Sequence, residues 1–132
     1  MAFTACGGAE APVTSPPPAA YSQIDLATGE GRTARRGARL TVHYTGWLYD
    51  SSRPDHKGKQ FDSSTDREPF TFRLGAGEVI AGWDRGFDGM RIGGKRQLIM
   101  PPDLGYGATG MPAAGIPGNA GLVFEMELVD VR

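Results

Sequence analysis

The apolar residues of this chain lie in short segments that are each bounded by glycine or proline, and this spacing limits what the chain can fold into. The 132 residues include 20 glycines and 10 prolines, a larger share than in an average globular chain. After the first twenty residues, these glycines and prolines separate apolar runs of strand length, as the turns of an antiparallel sheet require. The spacing therefore predicts a β-rich fold with many turns.

Most of the apolar runs alternate with the period of a half-buried strand. Leu40, Val42 and Tyr44 fall on one face of the segment 39–48, and threonine and histidine fall on the other. The same alternation occurs in 70–74 and 122–129, and 96–100 is also typical of a strand. Together with the stretch that contains Phe61, these segments predict about five strands.

One segment has a helical period instead. Ile80, Trp83 and Phe87 are spaced i, i+3 and i+7, which places them on one face of a short helix over 78–87, with Glu78 in its first turn. Because the sheet needs a cover for its apolar face, we predict an α+β architecture in which this helix packs on the strands.

Length and charge indicate a single domain without a strongly charged partner. A chain of 14.0 kDa is large enough for one hydrophobic core. We assign residues 23–132 to the domain and residues 1–22, which are rich in proline and alanine, to a disordered tail. The net charge is −1, so we expect no binding to nucleic acid. The arginines of 32–39 are interpreted as solvated charges beside the first long strand.

Metal, nucleotide and hydrolase sites are not predicted. His43, His56 and Cys6 lie in three unrelated segments, so no metal ligand set is expected, and neither histidine has a nucleophile and an orienting acid. The segment 89–95 has the spacing of a phosphate-binding loop, but Arg96 replaces the required Ser or Thr and a strand follows. We therefore expect no cofactor.

Bulky side chains beside the turns predict a binding cavity. Phe61, Trp83, Tyr106 and Phe124 lie in separate segments, and side chains from separate strands and loops can converge on one apolar pocket. The polar groups among them, such as Asp62, are isolated, which suits binding an apolar group and a carbonyl rather than breaking a bond. From the pattern alone, the aromatic residues could equally be core residues and Asp62 an exposed turn residue.

Six segments together resemble one known family, the FKBP-type peptidyl-prolyl cis-trans isomerases, which are macrolide-binding immunophilins. The resemblance extends from about Ile24 to Arg132. The segments that carry it are Val42-His43-Tyr44-Thr45-Gly46, Lys59-Gln60-Phe61-Asp62-Ser63-Ser64, Pro69-Phe70-x-Phe72-x-Leu74-Gly75, Val79-Ile80-x-Gly82-Trp83, Leu104-Gly105-Tyr106-Gly107-Ala108-Thr109-Gly110 and Leu122-Val123-Phe124-Glu125-x-Glu127-Leu128.

The resemblance implies a twisted antiparallel sheet wrapped around one helix, with the site between them. It implies catalytic roles for six residues: Tyr44, Phe61, Asp62, Trp83, Tyr106 and Phe124. It also implies substrate-binding roles for Arg67, Phe70, Val79, Ile80 and Ile116. In this family pattern Asp62 pairs with Arg67, the Tyr106 hydroxyl donates to a bound carbonyl, and Phe72 stays in the core.

The implied activity is rotation about X-Pro bonds in folding proteins, without a covalent step, by desolvation of the amide and binding of its twisted form. The expected partners are proline-containing polypeptides and macrolide inhibitors, and the expected state is a monomer. The alternative is a non-catalytic binding or chaperone module that uses the same pocket.

Two segments depart from the shorter family members. Residues 51–58 are an insertion that we expect to be a surface loop, where added length costs little free energy. In 111–117, Ile116 retains one hydrophobic contact, whereas Met111 and Ala114 replace bulkier or polar residues at the substrate rim.

The N-terminus leaves two locations open. Phe3-Thr4-Ala5-Cys6-Gly7-Gly8 resembles the end of a bacterial lipoprotein signal with Cys6 as the lipidated residue, but five residues are too few for its charged and apolar regions. As written, the chain is expected in the cytoplasm. If the N-terminus is truncated, the alternative is a periplasmic or surface lipoprotein.

Overall fold

A computed structural model describes residues 20–132 as a six-stranded antiparallel sheet with one short α-helix. The predictions for the tail up to residue 19 and for Cys6 lie outside the described residues. The strands are β1 (Ser22–Ala27), β2 (Arg39–Tyr49), β3 (Lys57–Ser63), β4 (Phe70–Arg73), β5 (Lys95–Met100) and β6 (Leu122–Val131), and the helix is α1 (Ala81–Gly86). The predicted α+β class is confirmed.

The sheet is centred on the two longest strands, β2 and β6. Its order is β1-β5-β6-β2-β3, and β4 also pairs with β2. The first part of β2 pairs with β4, with Leu40 opposite Phe72, and the last part pairs with β3. The alternation in β2 buries Leu40 and Val42 against the core completely. The apolar stripe of each central strand therefore faces α1.

The sixth strand, β1, was not predicted from the sequence. It pairs only with β5, from Ser22 opposite Ile99 to Ala27 opposite Lys95. Its apolar side chains are mostly exposed, 53% for Ile24 and 51% for Leu26. An edge strand that buries neither face lacks the alternation by which the other strands were recognised.

The helix is shorter than predicted at its N-terminal end, beginning at Ala81 rather than Glu78. Ile80 is still extended, with φ −60° and ψ 151°. The carboxylate of Asp84 accepts hydrogen bonds from the backbone N–H of Gly75 (2.8 Å) and of Gly77 (3.2 Å). These bonds hold the preceding loop against the helix, so residues 75–80 form turns instead of a first helical turn.

The hydrophobic core lies between α1 and the sheet. Two glycines on the buried side of the helix allow a close approach: a Cβ atom on Gly86 would lie 2.2 Å from Cδ1 of Leu98, and one on Gly82 would lie 2.5 Å from Sδ of Met100. Phe72 is 2% exposed, in agreement with its predicted place in the core. The helix therefore packs directly on β5.

The inserted segment is a short turn rather than a loop along its whole length. β3 already begins at Lys57, which pairs with Tyr49, so the last two residues of the predicted loop 51–58 belong to the sheet. The His56 ring stacks on the Tyr49 ring with a centroid distance of 5.0 Å. Among residues 20–132, no helix has the length and apolar composition needed to span a membrane.

Candidate functional site

A cavity of about 180 Å³ opens between α1 and the sheet. Five elements and two loops contribute its walls. The lining residues are Tyr44, Phe61, Asp62, Phe70, Glu78, Val79, Ile80, Trp83, Tyr106 and Phe124. All the site residues predicted from the sequence are in this set, except Arg67 and Ile116.

The Trp83 indole forms the buried side of the cavity. Its ring centroid lies 4.9 Å from that of Tyr44, 5.4 Å from Phe124 and 6.0 Å from Phe70, all with the rings nearly perpendicular. Edge-to-face contacts of this kind are favourable for aromatic pairs. Only 5% of Trp83 is exposed, and its Nε1 has no hydrogen-bond partner among residues 20–132. The rings therefore form one rigid apolar surface.

A glycine in β2 allows two of these rings to meet. Gly46 is opposite Phe124 in the β2–β6 ladder. A Cβ atom at Gly46 would lie 2.7 Å from both the Phe61 and the Phe124 rings, closer than real Cβ contacts. Any side chain at this position would displace the two rings from the cavity wall.

The carboxylate of Asp62 is held by three donors. Its Oδ2 accepts a hydrogen bond from the Tyr44 hydroxyl at 2.6 Å. Its Oδ1 accepts from Nη2 of Arg67 at 2.6 Å and from the Ser63 N–H at 2.9 Å. Both oxygens are thus engaged, so Asp62 orients the Tyr44 ring and is not a free general base.

Both tyrosine hydroxyls at the cavity keep their protons at neutral pH. Burial, followed by the hydrogen bond to Asp62 and its charge, raises the pKa of Tyr44 to about 12. Burial, and then the Asp62 charge, also raises the pKa of Tyr106 above its ordinary value. The Tyr106 hydroxyl has no hydrogen-bond partner among residues 20–132, so it can donate to a ligand.

A backbone donor complements Tyr106. The Ile80 N–H donates to no acceptor within the described part of the chain, whereas its carbonyl accepts from the N–H of Trp83 at 2.9 Å and of Asp84 at 3.3 Å. Ile80 lies immediately before α1 in extended conformation. The site thus combines an apolar interior with two available donors, a set suited to holding carbonyl oxygens.

Two predicted residues lie outside this cavity. Arg67 holds Asp62 from its far side and lines a neighbouring cavity together with Tyr44 and Phe70. Ile116 is only 1% exposed, and its N–H and C=O both bond to Met111. Because the loop folds back on itself there, the Ile116 side chain packs in the core and not at the predicted substrate rim.

Sequence reasoning also missed one lining residue. Glu78 was assigned to the first turn of the helix, but it lines the cavity and its Oε1 accepts a hydrogen bond from the Arg73 N–H at 2.9 Å. Its position directly before Val79 and Ile80, which the resemblance marked, was the available signal.

A second cavity of about 180 Å³ lies across β2, β5 and β6. Its lining includes His43, Lys95, Glu125 and Glu127. Charged groups keep water bound, and removing that water is costly. The cavity above Trp83 is therefore the better site for an apolar ligand.

Comparisons with known proteins agree with this geometry. Residues 30–129 match the sequence family described as FKBP-type peptidyl-prolyl cis-trans isomerase. An FK506-binding protein of Neisseria meningitidis serogroup A is 51% identical over 108 residues, which cover 81% of this chain and 92% of that protein. FK506-binding protein 2B of Rhizopus delemar is 52% identical over 102 residues, which cover 76% of this chain and 46% of that protein.

A solved structure has the same fold. The crystal structure of FkpA from Escherichia coli superposes with a TM-score of 0.72 at 40% sequence identity. The superposition covers 85% of this chain and 48% of the FkpA chain, so the shared part is one portion of the larger protein.

Proposed function

The chain belongs to the FKBP-type peptidyl-prolyl cis-trans isomerase family, and from this premise we propose that it accelerates rotation about X-Pro bonds in polypeptides. The observation that carries the proposal is the aromatic cavity above Trp83. Its volume of about 180 Å³ is below the roughly 300–1,000 Å³ of drug-sized sites. It suits one ring, such as the pyrrolidine of proline, with the rest of the ligand outside.

Desolvation is the main physical contribution that we propose for this cavity. Resonance makes the planar amide more dipolar than the twisted one and gives a rotation barrier of ~18–20 kcal/mol. Moving the amide from water to the apolar surface of Trp83, Phe61 and Phe124 therefore disfavours the planar ground state more than the twisted state. Binding that is stronger for the twisted state lowers the barrier.

The two donors at the rim would hold the substrate in register. In this proposal the Ile80 N–H and the Tyr106 hydroxyl donate to substrate carbonyls on either side of the bond that rotates. No proton is transferred, in keeping with the three donors that occupy Asp62. If these effects supply about 5–8 kcal/mol, the acceleration is about four to six decades.

We extend the proposal to macrolide binding, because relatives at 51–52% identity are named for binding FK506. The same cavity would take one apolar ring of the macrolide. Peptide and macrolide would then compete, which gives the proposal a simple test.

The experiment is an NMR exchange measurement of cis-trans rotation in a proline tetrapeptide, with and without FK506. We expect acceleration that is proportional to enzyme concentration and is abolished by stoichiometric FK506. Acceleration that persisted in saturating FK506 would show that the cavity is not the catalytic site. Peptide binding without acceleration would instead support a non-catalytic binding module.

A further inference from the structure

A larger cavity adjoins the one above Trp83 and shares a wall with it. Its volume is about 350 Å³, and its lining is Tyr44, Ser64, Arg67, Glu68, Pro69 and Phe70. The shared wall consists of Tyr44 and Phe70, whose ring centroids are 6.4 Å apart. Two residues of extended chain span about 6.6–7.2 Å. A polypeptide with its proline in the first cavity can therefore place a nearby side chain in the second.

Most polar groups of this second cavity are already engaged. The Arg67 guanidinium donates to Oδ1 of Asp62 at 2.6 Å and to the Ser63 carbonyl at 2.6 Å. The Ser64 hydroxyl is bonded to Nδ1 of His43 at 2.9 Å and to the Tyr44 N–H at 2.8 Å. The positive charge of Arg67 is thus compensated locally.

Glu68 differs from these groups. It is exposed, and within residues 20–132 its carboxylate takes part in no hydrogen bond and no ion pair. The first cavity adds the carboxylates of Asp62 and Glu78 and no lysine or arginine. The two cavities together therefore carry three carboxylates against one guanidinium.

The walls of the second cavity suit a long cationic side chain. Phe70 is 41% exposed, and the Pro69 ring and the Tyr44 ring continue the same apolar surface. Lysine and arginine side chains lay their aliphatic stems on such surfaces while the charged head stays in water. A cation near the face of tyrosine or phenylalanine is also attracted by the ring.

We propose that the second cavity is a specificity subsite in which Glu68 selects polypeptides that carry lysine or arginine within two residues of the proline. This inference rests on the proposed isomerase function. Glu68 acts on substrate choice and has no part in the rotation itself.

The test compares two peptide sets in an NMR exchange assay, which avoids the sequence preference of a coupling protease. Lysine, or norleucine as its uncharged counterpart, is placed in turn at each of the two positions before and after proline. At one of these positions, we expect kcat/KM for lysine to exceed that for norleucine by about two- to fivefold, the effect of one exposed ion pair. The ratio should approach one near 0.5 M NaCl, where the screening length is only about 3–5 Å.

Two variants of the full chain assign the effect to a residue. Glu68→Gln keeps the shape of the side chain and should bring the lysine-to-norleucine ratio to about one. Asp66→Asn removes a second exposed carboxylate of the same loop that does not line the cavity, and it should leave the ratio unchanged. A ratio near one at every position in the wild type, or an equal loss in both variants, would overturn the proposal.

Failure of the isomerase proposal would be recognised separately, because no peptide of either set would then be accelerated. In that case, amide chemical-shift titrations with the same peptides decide on the subsite. Tighter binding of the lysine peptide to the wild type but not to Glu68→Gln would support it. Equal affinity for both peptides would refute it.

Discussion

At the scale of single residues, the cavity separates apolar surface from hydrogen-bonding groups. Trp83 and the rings around it supply the surface, whereas Tyr106 and the Ile80 N–H supply the available donors. Asp62 takes no direct part in this division, because it is occupied by Tyr44, Arg67 and Ser63. Substitutions in the two groups should therefore have effects of different size.

Replacing Trp83 by leucine should lower kcat/KM by about one to two decades, the equivalent of about 1.4–2.8 kcal/mol of transition-state stabilisation. The variant loses the ring that touches Tyr44, Phe70 and Phe124 but keeps an apolar side chain. Phe87→Leu is the control, since Phe87 is fully buried and does not line the cavity. Full turnover and full FK506 affinity in a folded Trp83→Leu protein would show that the cavity is wrongly assigned.

Replacing Tyr106 by phenylalanine should have a smaller effect, because one hydrogen bond to a neutral carbonyl contributes about 0.5–1.5 kcal/mol. We expect a loss in kcat/KM of about tenfold at most. Asp62→Val should also reduce it only modestly.

The pH dependence of the same rates tests the mechanism. Since the pKa of Tyr106 is raised and that of Tyr44 is about 12, the wild-type rate should be nearly flat between about pH 6 and 9. A bell-shaped profile, or a loss of three decades in a folded Asp62→Val protein, would indicate acid–base catalysis instead.

Tyr44 should also make stability depend on alkaline pH. Its pKa is raised from 10.0 to about 12, so between these values the unfolded chain loses a proton that the folded protein keeps. The stabilisation is complete below pH 10 and is lost as pH rises toward 12. In urea unfolding, the advantage of the wild type over Tyr44→Phe should shrink across this range. A constant difference between the two proteins would contradict the assignment.

At the scale of elements, the close contact between α1 and β5 places Trp83 against the sheet. Gly82 and Gly86 flank Trp83 on the buried side of the helix, and their lack of side chains brings the helix axis near Leu98 and Met100. A helix of only six residues has little stability of its own. Its position, and with it the position of the indole, depends on this packing.

Gly86→Ala should therefore destabilise the protein, although alanine favours a helix over glycine by about 0.8–1 kcal/mol. The added methyl group overlaps Leu98, and overpacking of this kind typically costs about 1–3 kcal/mol. Adding Gly86→Ala to Leu98→Ala should be neutral or stabilising, because the second change makes room for the methyl group. The free energies of unfolding of the two single variants and the double variant measure this coupling. Additive losses would show that the overlap is relieved elsewhere.

At the scale of the whole molecule, the folded unit closes at its first described residues. Tyr21 lies under the Arg85 guanidinium at 3.9 Å. Asp25 in β1 pairs at 2.7 Å with Arg96, a residue that is 7% exposed and also donates to the Gly86 carbonyl. β1 thereby joins the sheet edge to the helix.

Deletion of residues 1–20 should leave activity and melting temperature nearly unchanged, since the core is formed by residues from Ala34 onward. Deletion of residues 1–27 removes β1 and leaves Arg96 without its carboxylate partner. An unpaired buried charge costs about 3–5 kcal/mol, so this second protein should unfold at clearly lower temperature. Calorimetry on both deletions provides the comparison. A large loss in the shorter deletion would mean that residues 1–20 contact the domain.

Much of this fold could be predicted from local patterns in the sequence. β2, β4, β5 and β6 each place one face on the core, so their alternation reports their structure directly. The family could be recognised because six motifs occur in one order. Through that resemblance, most of the cavity residues could be named before any geometry was known.

Other features were decided only by contacts between distant parts of the chain. β1 is defined by pairing with β5, the start of α1 by the bonds from Asp84 to the preceding loop, and the burial of Ile116 by the return of its loop. Glu78 and Glu68 gain their places beside the aromatic rings in the same way. Periodicity records which face of a segment is buried, whereas edges, loop conformations and the neighbours of a charge depend on residues far away in sequence.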